Sequence, residues 1–162
     1  MANPLSFKKG TKTNLPTLNQ GEPAYCIDSD EAFIGDGSTN HPLNVHYIEY
    51  RIIDSDTAHT VDTSISGDLR IPQAMSILAV GAYVDTAGTT SVTTIDILEG
   101  GTTILSTKIT IDATEKTSET ADVAPVISDA TIAADAVLTF DITGIASGTA
   151  GKGLVVWLKV IF

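Results

Sequence analysis

Histidine, cysteine and carboxylate side chains are the groups of this 162-residue chain whose types could do chemistry, and their spacing decides what chemistry is open to them. His41, His46 and His59 have no His-x-x-x-His or cysteine-pair context, so metal-ligand spacing is missing and structural or surface roles are expected. Asp28, Asp30 and Asp36 suggest a calcium loop, but the sixth position of such a loop, a glycine where the chain must turn sharply, is Phe33 here, and the twelfth, a bidentate glutamate, is Thr39. They read as turn aspartates. Cys26, the single cysteine, cannot form an intramolecular disulfide and, between Tyr25 and Ile27, is expected to be a buried, inert thiol. Glu115 and Glu119 lie in a polar stretch that reads as a solvated loop. There is no Gly-x-Ser-x-Gly elbow, no phosphate-binding loop and no carboxylate pair on a groove of the kind that cleaves polysaccharides. The expectation is a protein that is not an enzyme, with no catalytic residue, metal or cofactor.

The elements that position these side chains read as β throughout. Gly21 to Leu43 predicts a hairpin: Ala24–Ile27, a turn at Asp28-Ser29-Asp30, then Ala32–Ile34, stopped by Gly35-Asp36-Gly37, whose glycines are expected to permit positive φ. An isolated hairpin is marginal in water, so this one must lean on something else. A boundary is expected near Asn44, giving an N-terminal module over 1–44 and a larger domain over 45–162. In the latter, Val45–Ile53 puts Ile48, Tyr50 and Ile52 on one face, Asp54-Ser55-Asp56 is expected to turn, and His59–Ile65 reads as a strand ended by Ser66-Gly67-Asp68. Pro72 should flank a strand. Ser76–Val84 is apolar on both faces. Val92–Leu98 and Thr102–Ile111 predict a hairpin about Glu99-Gly100-Gly101, with Leu105, Thr107, Ile109 and Ile111 facing the core. The polar 112–119 lacks a helical stripe and reads as a loop, with an extended piece at Ala124–Ile127. Val137–Thr143 alternates cleanly, and Leu154–Phe162 is apolar on nearly both faces around Trp157. The pattern predicts an all-β chain: a small N-terminal hairpin module followed by an antiparallel β-sandwich of jelly-roll type.

Composition agrees, with hydrophobic residues at 43%, charged residues at 18% and many Thr, Ser, Ile and Val. A net charge of -11 and a pI near 4.4 exclude the basic face that nucleic-acid binding needs. No run approaches the roughly 20 apolar residues of a membrane span, and the first residues lack a signal-peptide pattern, so neither a membrane nor export is expected. The two-faced strands imply an apolar surface that a second subunit covers, with Tyr83, Val155, Trp157 and Ile161 as the expected interface.

Phe7-Lys8-Lys9-Gly10-Thr11, Leu15-Pro16-x-Leu18, Gly21-Glu22-x-Ala24-Tyr25, Asp28, Phe33-Ile34-Gly35-Asp36-Gly37 and Pro42-Leu43 resemble the small N-terminal module of phage tail-fibre and receptor-binding proteins. Cys26 departs from that pattern, which has an apolar or threonine-like residue there. The resemblance implies a β-prism in which three chains wrap about one axis, hence a homotrimer, with attachment to the particle through Phe7, Lys8, Lys9, Gly10, Tyr25, Phe33, Ile34, Gly35, Asp36 and Gly37. Ile104–Lys108, Ile111–Ser118, Pro125–Ser128 and Gly151–Leu154 together resemble small β-sandwich domains of phage virion proteins. Two functions follow as expectations. The first is a capsid decoration or short head-fibre protein on the virion surface, bound to the major capsid protein or another virion protein. The second is a tail-fibre or baseplate protein whose loops recognise a host surface glycan.

Overall fold

The computed structural model describes residues 7–65 and 67–162; Ser66, expected to help end a strand, lies outside the described residues, as do the first six residues. The chain is all-β, with two single-turn 3₁₀ segments and no α-helix among the described residues. It divides into two compact units, 1–45 with Ile161, and 46–160 with Phe162.

In the first unit the expected hairpin forms between β2 (Pro23–Cys26) and β3 (Glu31–Gly35), in register from Pro23 opposite Ile34 to Cys26 opposite Glu31. What it leans on is its own flanks. β1 (Lys8–Gly10) adds parallel to β2, and β4 (Asn40–Pro42) adds antiparallel to β3. Among the described residues its apolar core is Leu18, Ala24, Cys26 and Phe33, with Leu15 packed against them. Gly37 has the expected positive φ of 93°, whereas Gly35 does not. Gly35 is required for a different reason: it lies inside β3, and a side chain there would collide with Leu18 Cβ and the Leu18 and Asn19 carbonyls.

The second unit holds the main core between two antiparallel sheets. One has the order β11-β8-β14-β6, with β9 also on β8: β6 is Leu69–Arg70, β8 Thr93–Glu99, β9 Thr102–Thr103, β11 Ile109–Ile111 and β14 Val137–Gly144. The other has the order β13-β7-β15-β5, with β5 Val45–Ala58, β7 Met75–Tyr83, β13 Thr131–Ile132 and β15 Lys152–Ile161. A two-stranded piece pairs β10 (Leu105–Thr107) with β12 (Val126–Ile127). Leu138, Phe140 and Ile142 of β14 are all fully buried, as their alternation predicts, and Tyr50 stacks on Phe140. Ile95, Ile97, Ile109, Leu154, Val156, Leu158 and Val160 complete the centre. The Gly100-Gly101 hairpin also forms, both glycines at positive φ, but its second arm pairs with β8 only at its ends, while β10 leaves to pair with β12.

Three expectations are corrected. Asp54-Ser55-Asp56 does not turn: β5 runs through it to Ala58, because β5 closes one end of its sheet and polar residues are tolerated there. His59–Ile65 is not a strand. It follows β14 through a single bridge between Asp62 and Ile142, and Ser64 takes a positive φ of 51° with its N–H donating to Asp141 Oδ1. Finally, β7 does not present two apolar faces along its length. Met75 and Ile77 point into the core, as do Val80, Ala82 and Val84, so the inward parity changes between Ile77 and Val80 and most of the apolar residues of both apparent faces go inside.

Candidate functional site

The N-terminal unit is tied together mainly by polar side chains. Asp36 organises the turn after β3: its Oδ1 accepts from the Ser38 and Thr39 N–H groups and from Ser38 Oγ, and its Oδ2 meets His41 Nε2 at 2.8 Å. The His41 contact and these donors hold the Asp36 carboxyl well below the usual carboxylate range. Lys12 Nζ lies 2.8 Å from Glu31 Oε2, and Glu31 is 3% exposed. Lys8 reaches Glu22 at 2.8 Å and lowers its pKa. Tyr25 donates its hydroxyl to Asp30, which pushes the phenol pKa up, and burial raises the Cys26 thiol, as suits an inert cysteine. Asn40 stitches β4 to the preceding loop, its Oδ1 accepting from Leu18 N–H and its Nδ2 donating to the Pro16 carbonyl.

Of the residues expected to attach this unit, Phe33 and Gly35 are interior and Asp36 and Gly37 shape the turn. Phe7, Lys8, Lys9 and Ile34 are exposed, and so are Ile27 and Leu43, which sequence reasoning did not nominate. Four accessible large apolar side chains, Phe7, Ile27, Ile34 and Leu43, therefore accompany a small apolar core.

In the second unit, the outward face of the β13-β7-β15-β5 sheet carries a cavity of about 260 Å³ lined by Tyr47, Glu49, Tyr83, Thr117, Glu119 and Trp157. Tyr47 and Glu49 are alternate residues of β5, and Trp157 projects from β15 on the side opposite Val156 and Leu158. Gly81 makes room for the indole, whose Cζ2–Cε2 side occupies the space a side chain at 81 would need. Tyr47 and Trp157 meet at 6.2 Å between ring centroids, inclined by 55°. The remaining wall is pinned to β7: Ala82 N–H donates to Ser118 Oγ, Val84 N–H donates to the Lys116 carbonyl, and Tyr83 bridges Thr117. Thr117 Oγ1 accepts from Glu119 N–H and fixes the 3₁₀ turn Ser118–Thr120 that carries Glu119. Of the four expected interface residues, Tyr83 and Trp157 line this cavity, whereas Val155 and Ile161 are buried at 4% and 6% exposure. A separate apolar cleft of about 440 Å³ lies along Leu78, Ala79, Val80, Pro125, Val126 and Ile127.

The histidines are dispersed. His59 is interior, with Nε2 at 3.0 Å from the Gly153 carbonyl, His46 packs against the Phe162 ring, and His41 serves the Asp36 turn. No group of three or more His, Cys, Asp or Glu among the described residues is placed to hold a metal ion.

Residues 6–39 match the family model of the major tropism determinant N-terminal domain. No curated protein and no solved structure matches the chain.

Proposed function

We propose that the chain is a non-enzymatic receptor-binding protein of a tailed-phage virion, in which residues 1–44 hold the particle and residues 45–162 form the knob that meets the host surface. The observation that carries this reading is the match at 6–39 to a tropism-determinant domain, which supports host recognition over capsid decoration. Exposed Phe7, Ile27, Ile34 and Leu43 around a minimal core fit a module that gains contacts on assembly. The proposed assembly is a homotrimer. With Val155 and Ile161 interior, the apolar cleft beside Leu78 and Val126 suits a subunit contact better than the four residues first expected. Antibody labelling of intact particles viewed by electron microscopy tests the reading: label at the tail or baseplate is expected, and label over the head would return the protein to the capsid-decoration class.

A further inference from the structure

Resting on the receptor-binding reading, we propose that the cavity between Tyr47, Tyr83 and Trp157 binds an organic ammonium group, a quaternary or primary amine displayed on a host surface polymer. Three aromatic rings line one concavity, and a π face attracts a cation within about 6 Å of its centroid through the ring quadrupole. The tilt between Tyr47 and Trp157 makes a corner rather than a flat stack, so a compact group seated there touches two rings at once. Glu49 and Glu119 line it as well, both exposed, and neither is ion-paired with any described residue. No Lys or Arg lines the cavity, in a chain of net charge -11. This combination selects by charge. An anionic sugar or a phosphate would face two carboxylates without a donor cation, whereas an ammonium gains from both the carboxylates and the rings.

The wall is held in place by contacts of its own. Gly81 fixes where the indole lies, and Ser118 Oγ, accepting from Ala82 N–H at 2.9 Å, anchors the turn that carries Glu119. The site is therefore preformed, and binding does not require an ordering step.

Trp157 is the only tryptophan of the chain, so intrinsic fluorescence of the full-length protein reports this site directly. The probes are choline chloride and its neutral isostere 3,3-dimethylbutan-1-ol, titrated at constant ionic strength, with glucose as a neutral sugar. A saturable change with choline, at least tenfold weaker with the isostere and absent with glucose, is expected. Glu49→Gln combined with Glu119→Gln should weaken choline about tenfold while leaving the far-ultraviolet circular dichroism unchanged, and Tyr83→Leu should weaken it independently. Equal response to choline and its isostere, saturation by glucose, or no saturable response to choline would each overturn the proposal. So would emission that follows protein concentration rather than ligand, since a second copy would then occupy the cavity. Adsorption of the protein to host cells, measured alongside, separates the two claims: cell binding that persists without a choline response removes the ammonium site alone, and loss of cell binding removes the receptor reading beneath it.

Discussion

The two units are held together by different means. The first has an apolar core of four described residues, one an alanine and one a cysteine, and relies on an ion pair at Glu31, a hydrogen-bonded turn at Asp36 and the Asn40 stitch. The second packs two sheets of Ile, Leu, Val and Phe around Phe140, and its polar ties, such as the buried Asp96 paired with Lys108, are few beside that core. Each large apolar side chain fully buried contributes roughly 1.5–3 kcal/mol, so the second unit has ample driving force for folding alone. The first, with so small an apolar core, sits near the margin of independent stability. The difference teaches that the two units are stabilised by separable means: the sandwich by apolar packing, on which the aromatic cavity is built, and the small sheet by a polar network around a minimal core.

The comparison breaks most severely at the sandwich core. Phe140→Ala should cost about 3–5 kcal/mol through lost burial and the cavity left beneath Tyr50. Urea unfolding followed by far-ultraviolet circular dichroism should show the main transition shifted to lower denaturant. Next in size is Gly35→Val, which places a side chain against Leu18 and two carbonyls and should unfold the first unit while the main transition stays in place. Backbone amide NMR signals of 7–42 should collapse to random-coil positions and those of β8 and β14 should not move. A joint loss of both sets would mean that the units fold as one.

What was legible in the sequence follows the range over which its signals act. β14 could be read because Leu138, Phe140 and Ile142 alternate within a few residues, and the β8–β9 turn because Gly100-Gly101 supplies two positive φ values. β1, β6 and β13 are two or three residues long, and their strand character comes from partners distant in sequence, as when Lys8–Gly10 aligns on Ala24–Cys26. β7 misled because alternation assumes constant parity, and its parity changes midway. In the cavity, Trp157 and Tyr83 stood out in the sequence, but as subunit contacts. Tyr47 and Glu49 were not connected to Trp157, more than a hundred positions away, because they meet only when β5 and β15 share a sheet, and Thr117 and Glu119 join only through the turn pinned to β7. The outward alternation of Tyr47 and Glu49 was the one local clue.

Smaller effects sharpen the same contrast. Lys12→Met leaves the buried Glu31 carboxylate without its cation; because Lys12 is half exposed, a cost of about 1–2 kcal/mol is expected, confined to the first unit and read by hydrogen exchange of β2 and β3 amides. The smallest effect is with pH. Asp36 and Glu22 have carboxyls lowered by His41 and Lys8 respectively, so their contribution is present above the unfolded values of 3.8 and 4.5 and is lost as the pH falls toward the lowered folded values. Acidification from neutrality to below that window should raise amide exchange in 7–42, and Asp36→Asn should remove most of the dependence. An unchanged profile in the variant would place the acid sensitivity elsewhere.

The central claim, that the small sheet grips the particle and the sandwich meets the host, is tested most directly by comparing the full-length chain with one lacking residues 1–44, the latter first shown to be folded by circular dichroism. Both are mixed with particles devoid of this protein and, separately, with host cells, and each mixture is sedimented. The account predicts that both proteins co-sediment with cells and that only the full-length chain co-sediments with particles. A truncated protein that still decorates particles, or that no longer binds cells, would contradict it.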